Sequence, residues 1–247
     1  MSLVVENNLP MNLHLLSTPG DRDVRWVLEA CRPYLEGRDD PIVSFLPRAW
    51  LNIHHWLDYT VRSFDGLAHI ELVDTERMDL PTMEAVIRRA QVVYISGGNT
   101  FLLNHRLHIS GLMPYLRKKV QAGLPVVGFS AGAIVCGQNI LTSSDMNTVE
   151  TNHFDGLKAS SFNFFAHYAS DSHGQSVQDD WLSEHHSFHH NAVLMLSDGA
   201  YVKADGKNTT LIRGDGWILK KGSEKEKLIE GGAVVPYEAP RKNPIQE

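Results

Sequence analysis

Short apolar runs alternate with longer amphipathic stretches through the first half of this chain, and that alternation restricts the fold more than any other feature. The runs cover residues 13–17, 42–46, 70–73, 92–95 and 125–129. Helical periodicity marks 24–34, about 53–64, 82–90 and 112–122, the last closed by Gly123 in a C-cap position. Strands that are apolar on both faces need helices on both sides, as in parallel βαβ units. The expected fold is therefore α/β, a three-layer, mostly parallel sheet flanked by helices. After residue 129 the pattern changes. Segments 191–196, 201–204, 209–213 and 217–219 are short and separated by Asp-Gly, Gly-Lys-Asn and Gly-Asp-Gly. They predict an antiparallel C-terminal meander appended to the parallel sheet. There is no internal repeat. The chain reads as one domain over 1–247, with termini 1–10 and 236–247 loosely held.

Composition narrows the function. With 43% hydrophobic and 21% charged residues, the 247-residue chain has a globular rather than a disordered balance. A net charge of −6 disfavours a general nucleic-acid binder, which needs a basic face for phosphates. No apolar run approaches a membrane span of about 20 residues, and the first residues lack a signal-peptide pattern. A cytoplasmic location is expected. Cys31 and Cys136 fall in neither a disulfide nor a zinc spacing and read as buried small hydrophobes.

The chemistry concentrates in Gly128-Phe129-Ser130-Ala131-Gly132, a G-x-S-x-G pattern between a predicted strand and a predicted helix. Glycines on either side let a serine occupy a sharp, strained turn at the carboxyl edge of the sheet, where open α/β folds bind ligands. The Ala131 N–H would then face a developing oxyanion. The bland alternative is a capping serine beside packing glycines. A second turn, Ser96-Gly97-Gly98-Asn99-Thr100, also follows a predicted strand. It reads either as a helix cap by Asn99 or Thr100, or as the source of a second oxyanion donor. It lacks the third glycine of G-x-G-x-x-G and the ending of a P-loop, which argues against nucleotide binding. Of the histidines, His167 ends the apolar run begun at Phe162 and is expected at a sheet rim. His173, His185, His186, His189 and His190 lie in polar surroundings and read mostly as surface residues.

Taken together, these residues resemble the peptidase E family of serine peptidases, the α-aspartyl dipeptidases. The resemblance rests on Ser96-Gly-Gly-Asn-Thr-Phe101, Gly128-Phe-Ser-Ala-Gly-Ala133, Leu141-Thr-Ser-Ser-Asp-Met146, Phe154-Asp-Gly-Leu157, Ala166-His-Tyr168 and Ser197-Asp-Gly199, in the family's order. It implies a fold like the class I glutamine amidotransferases, with serine replacing the cysteine nucleophile. It makes Ser130 the nucleophile and His167 the general base. Asp198 falls where the best-known members carry Glu, and Asp145 is the fallback orienting acid. The Gly97-Gly98-Asn99 turn and Ala131 would serve the oxyanion and substrate. The implied reaction is acyl transfer on a small peptide, with no metal or organic cofactor and neither nucleic acid nor membrane as partner. A homodimer is one option for assembly. One departure stands out: Gln178 occupies the neighbourhood of the family's substrate-binding Arg. Residues 159–202 hold five acids and no Lys or Arg, which predicts altered specificity.

Three other readings share features of this sequence. An α/β-hydrolase esterase would order Ser, acid, His, using Asp145, Asp155 or Asp180. A non-catalytic binding protein could use the same fold. A metal protein could use the paired histidines of 185–190, although solvated or pH-sensitive histidines fit that spacing better.

Overall fold

The computed structural model describes residues 12–18, 24–47, 49, 51–169, 174–205 and 208–234. The expectation of loosely held termini falls on residues outside this set. The elements in chain order are β1 (Asn12–Leu16), α1 (Arg25–Leu35), β2 (Ile42–Leu46), α2 (His54–Ser63), β3 (His69–Leu72), α3 (Leu80–Arg89), β4 (Val92–Ile95), α4 (Thr100–Ile109), α5 (Leu112–Gln121), β5 (Val126–Phe129), α6 (Ala131–Ile134), β6 (Asn163–Phe165), α7 (Gly174–Phe188), β7 (Val193–Leu196), β8 (Tyr201–Asp205), β9 (Asn208–Arg213), β10 (Gly216–Leu219), β11 (Glu226–Lys227) and β12 (Ala233–Val234).

The main sheet has the order β12-β9-β8-β1-β5-β4-β2-β3. Its strands from β1 to β3 run parallel, and β8, β9 and β12 add antiparallel. Each central strand sends alternate side chains into two cores, as the strand period of two requires. Val93 and Ile95 pack with the α3–α6 side, in one core with Leu13, Leu15 and Val126. Val92 and Tyr94 pack with Val43, Phe45 and Val127 beneath α1 and α2. This is the expected three-layer arrangement.

The C-terminal strands depart from the expected meander. They divide between two sheets. β8 and β9 extend the main sheet, whereas β7 and β10 join β6 and β11 in a second sheet, order β11-β10-β7-β6. β6 pairs with β7 in parallel. The reason lies in β7, whose four residues are all buried. Leu194 and Leu196 face the main core, while Val193 and Met195 face Phe165, Tyr168 and Leu182. A strand apolar on both faces cannot be the half-solvated member of a meander and needs cover on each side.

That cover is α7, a helix where the sequence suggested polar surroundings. Gln178, Leu182, His185 and His186 are its buried residues. The expectation that the histidines lie mostly at the surface therefore fails for His185 and His186; His190 is exposed and His173 lies outside the described residues. Burial, reinforced by the charges of His189 and His186, pushes the His185 pKa down to about 4. The expectation for the cysteines holds: both are buried, and burial pushes the Cys136 thiol up to about 12. Among the described residues, no helix is long and apolar enough to cross a membrane.

Candidate active site

β5 delivers Ser130 at the carboxyl edge of the sheet, with φ 50° and ψ −110°, a conformation strained for a residue bearing a side chain. Its N–H donates to the Leu16 carbonyl at 2.9 Å, and its own carbonyl accepts from the Ala133 and Ile134 N–H groups. The flanking glycines make this turn sterically possible. A Cβ on Gly128 would come within 2.5 Å of the Gly132 carbonyl oxygen, and one on Gly132 would run into the Ile95 carbonyl. The helix that follows, α6, is only four residues long. No long helix dipole therefore stands behind the Ala131 N–H.

His167 approaches from the second sheet. Its Nε2 lies 2.9 Å from Ser130 Oγ, and its Nδ1 lies 2.7 Å from Asp198 Oδ1. Asp198 is on the β7–β8 connection, next to Gly199 (φ 80°), whose N–H donates to the Thr18 carbonyl. The two residues after β1 complete the frame. Ser17 Oγ accepts the His167 backbone N–H at 2.9 Å and donates to Asp198 Oδ1 at 3.4 Å. Thr18 Oγ1 lies 3.2 Å from His167 Nδ1.

The His167 backbone is itself held in an unfavourable shape. His167 and Ala169 both have positive φ, 62° and 59°, which costs about 1–3 kcal/mol per residue unless neighbours impose it. Gln178 imposes it. Fully buried, it donates from Nε2 to the His167 carbonyl at 3.2 Å and accepts the Ala169 N–H at Oε1 at 2.7 Å. Tyr168, between them, is also buried. Its N–H donates to the Leu196 carbonyl and its hydroxyl donates to Asp179 Oδ1 at 2.5 Å. Lys225 bridges to both Asp179 oxygens at 2.8 Å and to the Tyr168 hydroxyl. Burial first, then the bond to Asp179, pushes the Tyr168 pKa up, so the hydroxyl stays a donor.

The second glycine turn lies against the elbow. Gly98 has φ 127°, and a Cβ there would strike the Ala49 carbonyl. A Cβ on Gly97 would stand 3.2 Å from the Ser130 Cβ and closer still to the Phe129 ring. Asn99 caps α4, accepting the Leu102 N–H at 2.9 Å, and donates from Nδ2 to the Met146 carbonyl. Asp145 Oδ2 accepts the Thr100 N–H at 2.8 Å and the Thr100 and Ser143 hydroxyls at 2.7 and 3.0 Å. The structure thus brings Ser130, His167, Asp198, the glycine turn and Ala131 together. Asp145 lies in the same cavity, with its carboxylate engaged at the start of α4. Gln178 supports the histidine backbone instead of lining the cavity.

Sequence reasoning missed Ser17, Thr18 and the role of Gln178. The first two carried a readable signal: polar residues at the carboxyl end of β1, which pairs directly with β5. His185 of α7 makes a ring contact with His189, just past the end of the helix, at 4.5 Å between centroids. Among the described residues, no cluster of three or more His, Cys, Asp or Glu is placed to hold a metal ion.

Ser130 and His167 line a cavity of about 620 Å³. α1 and α2 contribute Val27, Trp56 and Tyr59, the sheet contributes Tyr94 and Phe129, and α4 with the following loops contributes Leu102, Asp145 and Val149.

A 137-residue stretch is 35% identical to the Drosophila melanogaster protein named "Probable alpha-aspartyl dipeptidase", covering 53% of this chain and 57% of that one. A "Peptidase E" of a Shewanella species is 30% identical over 197 residues, 78% of this chain and 83% of its own. The crystal structure of a peptidase from an acI-B1 actinobacterium superimposes with a TM-score of 0.70 at 17% identity, covering 94% of this chain and 100% of that one. That likeness is one of fold. Residues 16–212 match the sequence description of peptidase family S51, and on that match the chain belongs to this family.

Proposed function

We propose that this protein is a serine dipeptidase in which Ser130, His167 and Asp198 form the catalytic triad. The observation that carries the proposal is the unbroken relay from Ser130 Oγ through both nitrogens of His167 to Asp198, at 2.9 and 2.7 Å, in the mouth of a cavity. Asp198 accepts a hydrogen bond from Nδ1–H, which fixes the tautomer and leaves Nε2 free to take the proton of Ser130. The serine oxygen attacks the peptide carbonyl. The Gly98 and Ala131 N–H groups are the donors for the resulting oxyanion. His167 then passes its proton to the leaving amine, the C–N bond breaks, and an acyl-enzyme remains. Water, deprotonated by the same histidine, attacks this ester and releases Ser130.

Asp198, at the position where the family resemblance implies a glutamate, reaches one methylene less far. Ser17 and Thr18 compensate by drawing the β1 end, His167 and the 197–200 turn together. The two unpaired cysteines agree with a cytoplasmic setting, and the acidic balance agrees with a small peptide rather than a nucleic acid as partner. The test is hydrolysis of a dipeptide panel by the purified protein and by Ser130→Ala. We expect release of free amino acids to fall at least about 10³-fold in the variant. Equal rates would reject the proposal.

A further inference from the structure

We propose that the cleaved bond follows a residue with a large apolar side chain, aromatic or branched aliphatic, and not an aspartyl residue. The inference rests on the peptidase reading above and specifies its substrate. The cavity beside Ser130 is walled by Trp56, Tyr94, Leu102, Phe129 and Val149. At about 620 Å³ it holds an aromatic side chain together with the peptide unit attached to it. Among the described residues that line it, none is Lys or Arg, and the only carboxylate is that of Asp145.

An aspartyl side chain bound here would give up its water facing rings and a second negative charge, with no cation among the described lining residues to meet it. Among the described residues, two groups of this kind are committed elsewhere. Gln178 uses both ends of its amide on the His167 and Ala169 backbone. Arg213 donates Nε–H to the Gly199 carbonyl at 3.2 Å and lies over the Trp26 ring. Residues 159–202, which supply both His167 and Asp198, contain no Lys or Arg at all. An apolar side chain, in contrast, gains from the walls formed by Trp56, Tyr94, Leu102, Phe129 and Val149.

The test compares kcat/KM for dipeptides that differ only in the first residue: Phe-Leu, Leu-Leu, Ala-Leu, Lys-Leu and Asp-Leu. We expect Phe-Leu and Leu-Leu to exceed Asp-Leu by at least about tenfold. Val149→Arg places a guanidinium on the half-buried wall and should shift the Asp-Leu to Phe-Leu ratio at least about tenfold toward Asp-Leu. Trp56→Ala should raise KM for Phe-Leu more than for Ala-Leu. Asp-Leu as the best substrate of the unaltered protein, or rates within threefold across the series, would overturn the inference while leaving the peptidase intact. Labelling of Ser130 by a fluorophosphonate, with none of the dipeptides cleaved, would overturn the inference and keep a serine hydrolase. Neither labelling nor cleavage would overturn both.

Discussion

Replacing Asp198 by Asn keeps the shape of the triad and removes the charge that fixes the His167 tautomer. An asparagine amide can turn an N–H toward Nδ1, which moves the imidazole proton to Nε2 and aims it at Ser130, where no base then remains. In a buried serine-protease triad this substitution costs about 10⁴-fold in kcat. Two features reduce the loss here. The His167 and Asp198 side chains are 31% and 36% exposed, so water reaches the pair. Thr18 Oγ1, 3.2 Å from Nδ1, offers an alternative acceptor for the Nδ1 proton. We therefore expect a fall of about 10³-fold, or about 4 kcal/mol of transition-state stabilisation. The matched control is Asp145→Asn, which weakens the bonds to the start of α4. That variant should lose about 1 kcal/mol of stability and no more than about tenfold in kcat. Steady-state kinetics on the best dipeptide, with a urea melt of each variant, separates the two. If Asp145→Asn proved the more damaging to kcat with its stability intact, Asp145 would be the orienting acid and the assignment of Asp198 would be wrong.

Gln178→Ala leaves the Ala169 N–H and the His167 carbonyl without their buried partner, which should cost about 2–4 kcal/mol of stability. Because the positive-φ turn at His167 loses its clamp, kcat should also fall with KM little changed; an unaltered kcat would show that Gln178 is only a packing residue. His14, buried between Tyr34 and Tyr201, has its pKa pushed down to about 4 by burial first and by the charge of Lys203 second. The neutral ring is the form that fits the fold, so the unfolded chain binds more protons between about pH 4 and 6.5. Stability is full above pH 6.5 and is lost as pH falls toward 4, by on the order of 3 kcal/mol for His14. His14→Gln should remove about one proton from the slope of unfolding free energy against pH, measured by urea melts from pH 7.5 to 4.5, and an unchanged slope would refute this.

Much of the architecture was legible because both-face-apolar strands are hard to mistake when helical periods separate them. β2 and β4 lie at 42–46 and 92–95, where the apolar runs put them. The nucleophile turn was legible too, since its glycines answer to steric contacts with the Gly132 and Ile95 carbonyls. What escaped was structure whose signal is polar or all-round. α4 buries Thr100, Phe101, Leu102, Leu103, Asn104, Arg106 and Leu107, so it has no polar face to reveal a helical period. α7 buries Gln178, His185 and His186, and a stripe that includes buried polar groups reads as surface. The second sheet was hidden because β7 and β10 look like the first and last members of a meander, and only the partner β6, far upstream, distinguishes the two arrangements. The pairing of His167 with Asp198 rather than Asp145 depends on where two loops meet across 31 residues, which spacing alone does not encode.

The central claim is that Ser130 is a nucleophile activated by His167, and covalent trapping tests it without reference to any substrate. The protein is treated with a fluorophosphonate, and the intact mass and its tryptic peptides are measured beside the same experiment on His167→Ala. We expect one adduct per chain, on the peptide containing Ser130, forming at least about 10²-fold more slowly in the variant. No adduct, an adduct on another residue, or equal rates in the two proteins would contradict it.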